Sequence, residues 1–325
     1  MRERIQAVAA AAVIVALLAA ASQPRPQVLC EGFLPPNTLS IPVGDVNARG
    51  IEKDVFNAVL DRVEAVYAPI VAAQGGKLIV NRMWENGTVN ASANQDGNDW
   101  HINMYGGLAR HAAVTADGFA LVACHELGHH IGGHPKMWGW ATNEGGADYY
   151  STLKCLRLVF PADKQPSSAD PVAAAACAKT WPEGVERNLC LSGAMAGHSI
   201  ASLFQALSPQ PKAPAFGTPD PNVVTRTNNA HPKGQCRLDT YFQAALCVKP
   251  VTEQVSNTDE KAGACTQAGG FAVGTRPLCW YKPPTSAGEE GEDEAGLSAR
   301  MPLPDAKAVQ RKLDALAGAL SSRGI

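Results

Sequence analysis

The sequence predicts an α+β fold with a small antiparallel or mixed sheet and a largely helical C-terminal half, stabilised by disulfides. Three observations carry that reading. Apolar residues recur at helical spacing early in the chain, strand-like runs between turn residues follow over 77–105, and most of the chain beyond 116 is again helical in period. Nine cysteines supply the crosslinks, and 325 residues are enough to bury a full core.

The first residues read as an export signal over 1–22: Arg2 and Arg4 precede the apolar stretch Ala7 to Ala21, and small residues (Ala19, Ala20, Ala21, Ser22) close it. The stretch is shorter than the roughly 20 residues that span a bilayer. An uncleaved signal anchor is the alternative reading. A lipoprotein processed before Cys30 fits less well, because Gln27-Val28-Leu29 lacks a small residue next to the cysteine. After signal removal no stable membrane span is expected, and the protein is exported, to a periplasm or outside the cell.

The folded domain is expected over 30–284. Ile51, Val55, Val59, Val63, Val66 and Ile70 mark a first helix that Gly75-Gly76 ends. Lys77 to Met83, Val89 to Ala93 and Trp100 to Tyr105 read as strands, with Glu85-Asn86-Gly87 as a tight turn and Asp96-Gly97 in a polar loop. Helices follow at about 116–132, 143–159, 171–179, 191–207 and 237–248, with a Pro-rich loop at 209–221. An acidic linker and a short amphipathic helix at 305–320 form a tail over 285–325, with solvated and partly disordered composition. The net charge of −2 and the absence of a basic stripe argue against nucleic-acid partners.

Exported cysteines pair. With an odd count, Cys124 is the candidate free thiol, because it lies beside His125 on the buried side of its helix. Sequence proximity pairs Cys177 with Cys190, Cys236 with Cys247 and Cys265 with Cys279, leaving Cys30 with Cys155. No C-x-x-C pair exists, so cysteine-based zinc ligation is disfavoured.

The chemistry is concentrated at His125-Glu126-Leu127-Gly128-His129, an H-E-x-x-H pattern following the apolar run Gly118 to Val122. On a helix the two histidines lie about one turn apart, so both imidazoles can reach one cation, while Glu126 adjoins them as a general base. A third ligand can come from two places. The pattern H-E-x-x-H-x-x-G-x-x-H has Gly132 in register, but position 135 is Pro and the next histidine falls early, at His134. Glu144-Gly145-Gly146-Ala147-Asp148 fits better: Glu144 ligates, and Asp148, one turn on, hydrogen-bonds the free N–H of a ligand histidine. His130 and His134 then cap or line the site. The expected cofactor is one zinc ion per chain.

These residues resemble the zinc metallopeptidases grouped with the CAAX prenyl endopeptidase and the HtpX-like peptidases, in a soluble exported form. The likeness rests on Val89-Asn90-Ala91 with Trp100 to Tyr105 and Gly107-Leu108, on the metal helix with His134, on the E-x-x-A-D run at Glu144 to Asp148, and on His231-Pro232 with Arg237. The resemblance implies a zincin-like fold of gluzincin type and a zinc endopeptidase that cleaves protein or peptide substrates by Glu126-assisted attack of water. It implies that His231 acts near the scissile carbonyl, that Arg237 supports it, and that Asn90, Ala91, Ser92 and Ala93 form an edge strand that pairs with substrate. The chain departs from the family in a short connection carrying Trp138-Gly139-Trp140, in lacking membrane helices, and in Gly145-Gly146, which are expected to loosen their helix.

The rival from another class is a non-catalytic, chaperone-like client-binding protein with a structural zinc. It requires a fourth protein ligand from His134 or Cys124 and leaves Glu126 without a task. A zinc hydrolase acting on non-peptide substrates is a third reading. Asn86-Gly87-Thr88 and Asn90-Ala91-Ser92 match the glycosylation pattern, and Trp138 and Trp140 either line the cleft or pack beside it.

Overall fold

The computed structural model describes residues 32–161 and 163–284. The expected signal at 1–22, Cys30, and the tail at 285–325 with its helix lie outside the described residues. Among the described residues no helix is long and apolar enough to cross a membrane.

The first helix, α1 (Lys53–Ala73), buries Phe56, Leu60, Val63, Val66, Tyr67 and Ile70. Of the expected stripe Val63, Val66 and Ile70 are buried, while Val55 and Val59 are only partly so because the aromatic and leucine side chains beside them turn the buried face. Strands β1 (Lys77–Met83), β2 (Ala91–Asp96) and β3 (Asp99–Tyr105) form a mixed sheet in the order β1-β3-β2. The β2–β3 hairpin is antiparallel, and β1 pairs in parallel with β3. One sheet face, with Leu78, Ala91, Ala93, Ile102 and Met104, joins the core. The other carries a chain of amides. Asn81 Nδ2 donates to Asn103 Oδ1 at 2.8 Å, and Asn103 Nδ2 donates to Asn94 Oδ1 at 2.9 Å. The strand expected at Val89–Ala93 begins two residues late, because Asn90 turns its side chain onto Leu34 and Ala91.

A short helix α2 (Gly106–Arg110) leads to α3 (Ala116–Ile131), which is capped by the Thr115 hydroxyl accepting from Gly118 N. Every α3 residue from Gly118 to Ile131 is buried, as its continuous apolar run requires. A small ribbon, β4 (Lys136–Trp138) with β5 (Ala141–Thr142), reverses the chain into α4 (Glu144–Tyr150), capped by Asn143. The helix expected over 143–159 is continuous but not uniform. It widens to a π-helical turn at Ser151–Cys155 before α5 (Leu156–Val159). Helices α6 (Pro171–Thr180), α7 (Val185–Leu207) and α8 (Gly234–Leu246) complete the helical half, with α7 and α8 packed on α3, α4 and each other.

Among the described residues four disulfides close the fold: Cys124–Cys155, Cys177–Cys190, Cys236–Cys279 and Cys247–Cys265. Only Cys177–Cys190 agrees with pairing by sequence proximity. Cys124 is not free; it ties α3 to the π turn through Cys155, the residue assigned to Cys30. The pairs Cys236–Cys247 and Cys265–Cys279 are replaced because Cys236 opens α8 and Cys247 ends it, so one helix holds them apart. Each then takes a partner from the C-terminal loops.

Gly145-Gly146 lie inside α4, which is helical through both. A Cβ on Gly145 would lie 2.2 Å from Cδ2 of Trp280, a fully buried ring, so the glycine is what lets the indole seat on the helix. Trp280 Nε1 in turn donates to Thr240 Oγ1 on α8 at 2.9 Å.

Candidate metal centre

Helices α3 and α4 bring His125, His129 and Glu144 together as a group able to hold a metal ion, their ligand atoms all within 4.8 Å of one another. The helical turn supplies the two histidines. The tight β4–β5 ribbon and the Asn143 cap aim the first residue of α4 back at them. His125 Nε2 stands 3.4 Å from Glu144 Oε2, and His129 Nε2 stands 3.6 Å from Glu144 Oε1. Both Nε2 atoms and Glu144 Oε2 are buried without a hydrogen-bond partner, an arrangement that is unfavourable unless a cation satisfies them.

The far nitrogens are held from behind. His129 Nδ1 lies 2.8 Å from Thr142 O, which selects the tautomer with Nδ1–H and leaves Nε2 as the ligand atom. His125 Nδ1 lies 2.7 Å from Asp148 Oδ1, a close charge contact though not a well-aligned hydrogen bond. Asp148 is itself gripped: Arg237 donates Nε to Oδ2 at 2.8 Å and Nη2 to Oδ1 at 2.7 Å, and Tyr241 Oη donates to Oδ1 at 2.7 Å. Arg237 is fully buried, gives its remaining Nη1 to Phe33 O at 2.8 Å, and lies against the rings of both Phe33 and Phe204.

The electrostatics follow from these neighbours. Burial pushes His125 down, yet Asp148 and Glu144 more than offset it and carry its pKa up to about 9. Burial also lowers His129, only partly countered by Glu144, to about 4. Burial would raise Glu144, but His129, His125 and His231 hold it well below the usual carboxylate range. Asp148 is likewise held low against burial by Arg237 and His125. Glu126 differs. Both its oxygens are buried without a partner, and burial lifts its pKa to about 8.

Of the remaining expected residues, His231 lies at the rim: its Nε2 is 3.4 Å from Glu144 Oε2 and 2.7 Å from Gly32 O. Arg237 reaches the centre through Asp148 and makes no contact with His231. Ala91, Ser92 and Ala93 lie on β2, the edge strand of the sheet, while Asn90 precedes it and bonds Leu34. That use of the Asn90 side chain also argues against a sugar there.

His130 and His134 are not ligands. His130 stacks between Trp100 and Trp140 and is bonded to His101 O at 3.0 Å. His134 is not part of the group, and its backbone N–H donates to Ser256 O at 2.7 Å. Trp140 stacks on His130, whereas Trp138 is 46% exposed.

Sequence reasoning missed Thr142, Tyr241, Gly32 and Phe33. Tyr241 had a signal, since it follows Arg237 by one helical turn. A carbonyl such as that of Thr142, and a contact from the far N-terminus, leave none. Comparison with protein-family models, curated proteins and solved structures finds no match.

Proposed function

We propose that the chain is a zinc-dependent endopeptidase of gluzincin type, acting on exported or envelope proteins in a periplasmic or extracellular setting. The carrying observation is the spacing of the donors. Tetrahedral zinc bonds of about 2.0–2.1 Å place neighbouring donor atoms about 3.4 Å apart. The histidine–glutamate separations are 3.4 and 3.6 Å. Among the described residues no fourth histidine, cysteine, aspartate or glutamate donor joins the group, so one coordination position is left for solvent or substrate. A structural zinc would be closed by a fourth protein ligand.

Zinc held there supplies a water acidified to near neutral pH and a positive charge opposite a developing oxyanion. The chain's residues do the rest. Glu126, next to His125, would take the water's proton and return it to the leaving amine. Asp148 and Thr142 keep both imidazoles turned so that Nε2 faces the cation. His231, at the rim near Glu144, is the donor nearest the position of a substrate carbonyl. Strand β2 offers an edge along which an extended peptide can pair.

The test is zinc stoichiometry and casein cleavage for the mature protein, Glu126→Gln and Glu144→Ala. One zinc per chain, cleavage lost in Glu126→Gln with zinc retained, and zinc lost in Glu144→Ala are expected. Equal zinc in all three without cleavage of a peptide library overturns the proposal.

A further inference from the structure

The groups that would do this chemistry have almost no surface. His125, Glu126 and His129 are 0% exposed and Glu144 is 3% exposed. A short stretch of chain packs against them. Residues 32–34 enter from the N-terminal side, and each is tied to a different part of the site. Gly32 O accepts from His231 Nε2 at 2.7 Å. Phe33 N donates to Ala91 O at 2.9 Å, a strand-like bond on the outer edge of β2. Phe33 O accepts from Arg237, and the Phe33 ring meets the His125 ring edge-on with centroids 4.9 Å apart. Leu34 is clamped by the Asn90 side chain, which accepts from Leu34 N at 2.9 Å and donates to Leu34 O at 3.2 Å. A peptide carbonyl on His231 and a peptide N–H on the edge strand are two bonds that a substrate would need.

We propose that Gly32-Phe33-Leu34 is a built-in strap that lies across the metal centre, imitates a bound peptide, and keeps the protein latent until it is displaced. The proposal rests on the peptidase reading for what the strap blocks, but not for the blocking of metal access itself. The segment suits the task. Gly32 has φ +104°, where side chains are strained, and a Cβ there would fall 2.9 Å from Asn90 Nδ2 and 3.1 Å from Ala91 O, so only glycine lies this close to the edge strand. Phe33 and Leu34 are buried in the core, Leu34 under the Asn90 clamp, so the end that can lift is Gly32. Displacement of Gly32 by a partner, or cleavage just upstream of it, frees His231 first, and Ala91 O only when Phe33 follows.

Gly32→Ala and Asn90→Ala loosen the strap from opposite sides, and Phe56→Leu, in the core on α1, serves as a destabilised control. Zinc-loaded proteins are mixed with excess chromogenic chelator and the rate of zinc release is recorded, with casein cleavage followed in parallel. Both strap variants should release zinc about ten-fold faster than the parent, the scale of losing one or two hydrogen bonds, and Phe56→Leu should not. Cleavage should rise in the same two variants. Release rates equal to the parent's, or no faster than in Phe56→Leu, overturn the strap. Equal cleavage by parent and strap variants also overturns it, while leaving the peptidase intact. Fast release with no cleavage by any variant supports the strap and removes the peptidase.

Discussion

Replacing Arg237 with leucine removes the guanidinium that holds Asp148 behind His125 while leaving an apolar stem of comparable length. In the folded protein that guanidinium is 0% exposed, makes two charge-assisted bonds to Asp148 at 2.8 and 2.7 Å, and makes a third to Phe33 O at 2.8 Å. Charge-assisted bonds contribute about 1.5–3 kcal/mol each, and truncating one partner of a buried pair costs about 3–5 kcal/mol because the other charge is stranded. We expect a loss at the upper part of that range, about 4–5 kcal/mol, because Tyr241 and His125 alone must then satisfy the Asp148 carboxylate. Zinc affinity should fall about 10–100-fold, since the orienting partner of a ligand histidine has lost its own support. Urea denaturation of the metal-free protein measures the first quantity, and competition against a calibrated chelator the second. Arg237→Lys should recover only part of either, since an ammonium cannot reproduce the fork. Combining Arg237→Leu with Asp148→Asn should cost less than the sum of the single changes by at least about 2 kcal/mol. A loss under about 1 kcal/mol, or strict additivity, would refute the claim that Arg237 acts through Asp148.

Other perturbations report on other parts of the frame. Changing both Cys124 and Cys155 to alanine opens a crosslink of sequence separation 31. Chain entropy puts the loss at about 4 kcal/mol, read as a lower urea midpoint, and an unchanged midpoint counts against the bond. Gly145→Ala should destabilise by roughly 1–3 kcal/mol through overpacking, despite alanine's better helix propensity. Near-UV circular dichroism should show Trp280 disturbed, and a stabilised variant contradicts the packing described. Burial lowers the pKa of Lys154, which is 3% exposed, to about 7. A depressed folded pKa gives stability that is full above the ordinary value near 10.5 and lost as pH falls through 7. Lys154→Met should therefore be more stable than the parent by roughly 5 kcal/mol at most near pH 6, and the advantage should vanish only above the ordinary value of 10.5. An advantage independent of pH removes the argument.

How much of this was legible in the sequence varied with the range of the interaction. The helix at Lys53–Ala73, the hairpin around Asp96-Gly97 and the metal helix follow from period, turn chemistry and an unbroken apolar run, all of them local signals. Helical geometry alone unites His125 and His129, and the E-x-x-A-D run marks Glu144, which a short ribbon turns back onto them. The disulfides followed sequence proximity only once, because a thiol's neighbours are set by which helices pack and not by spacing. Cys236 and Cys247, held at opposite ends of α8, show why. The glycines after Glu144 looked like a weakness because helix propensity is a property of the isolated segment. Trp280, far along the chain, reverses that judgement. Nothing local marks Phe33 as a wall of the centre, since its partners lie on three separate elements.

The grip on Asp148 comes from residues 89 and 93 positions further along the chain, and His231 meets Gly32 across a separation of 199. A ribosome delivers these pieces in order, so a nascent chain that has exposed only the H-E-x-x-H helix and Glu144 owns every ligand yet lacks the clamp that orients His125. Such a fragment is expected to scavenge metal poorly, and tight capture arrives only once the helix at Gly234–Leu246 docks. A candidate metal centre whose orienting clamp comes from the helix at Gly234–Leu246 is complete only once that helix has docked.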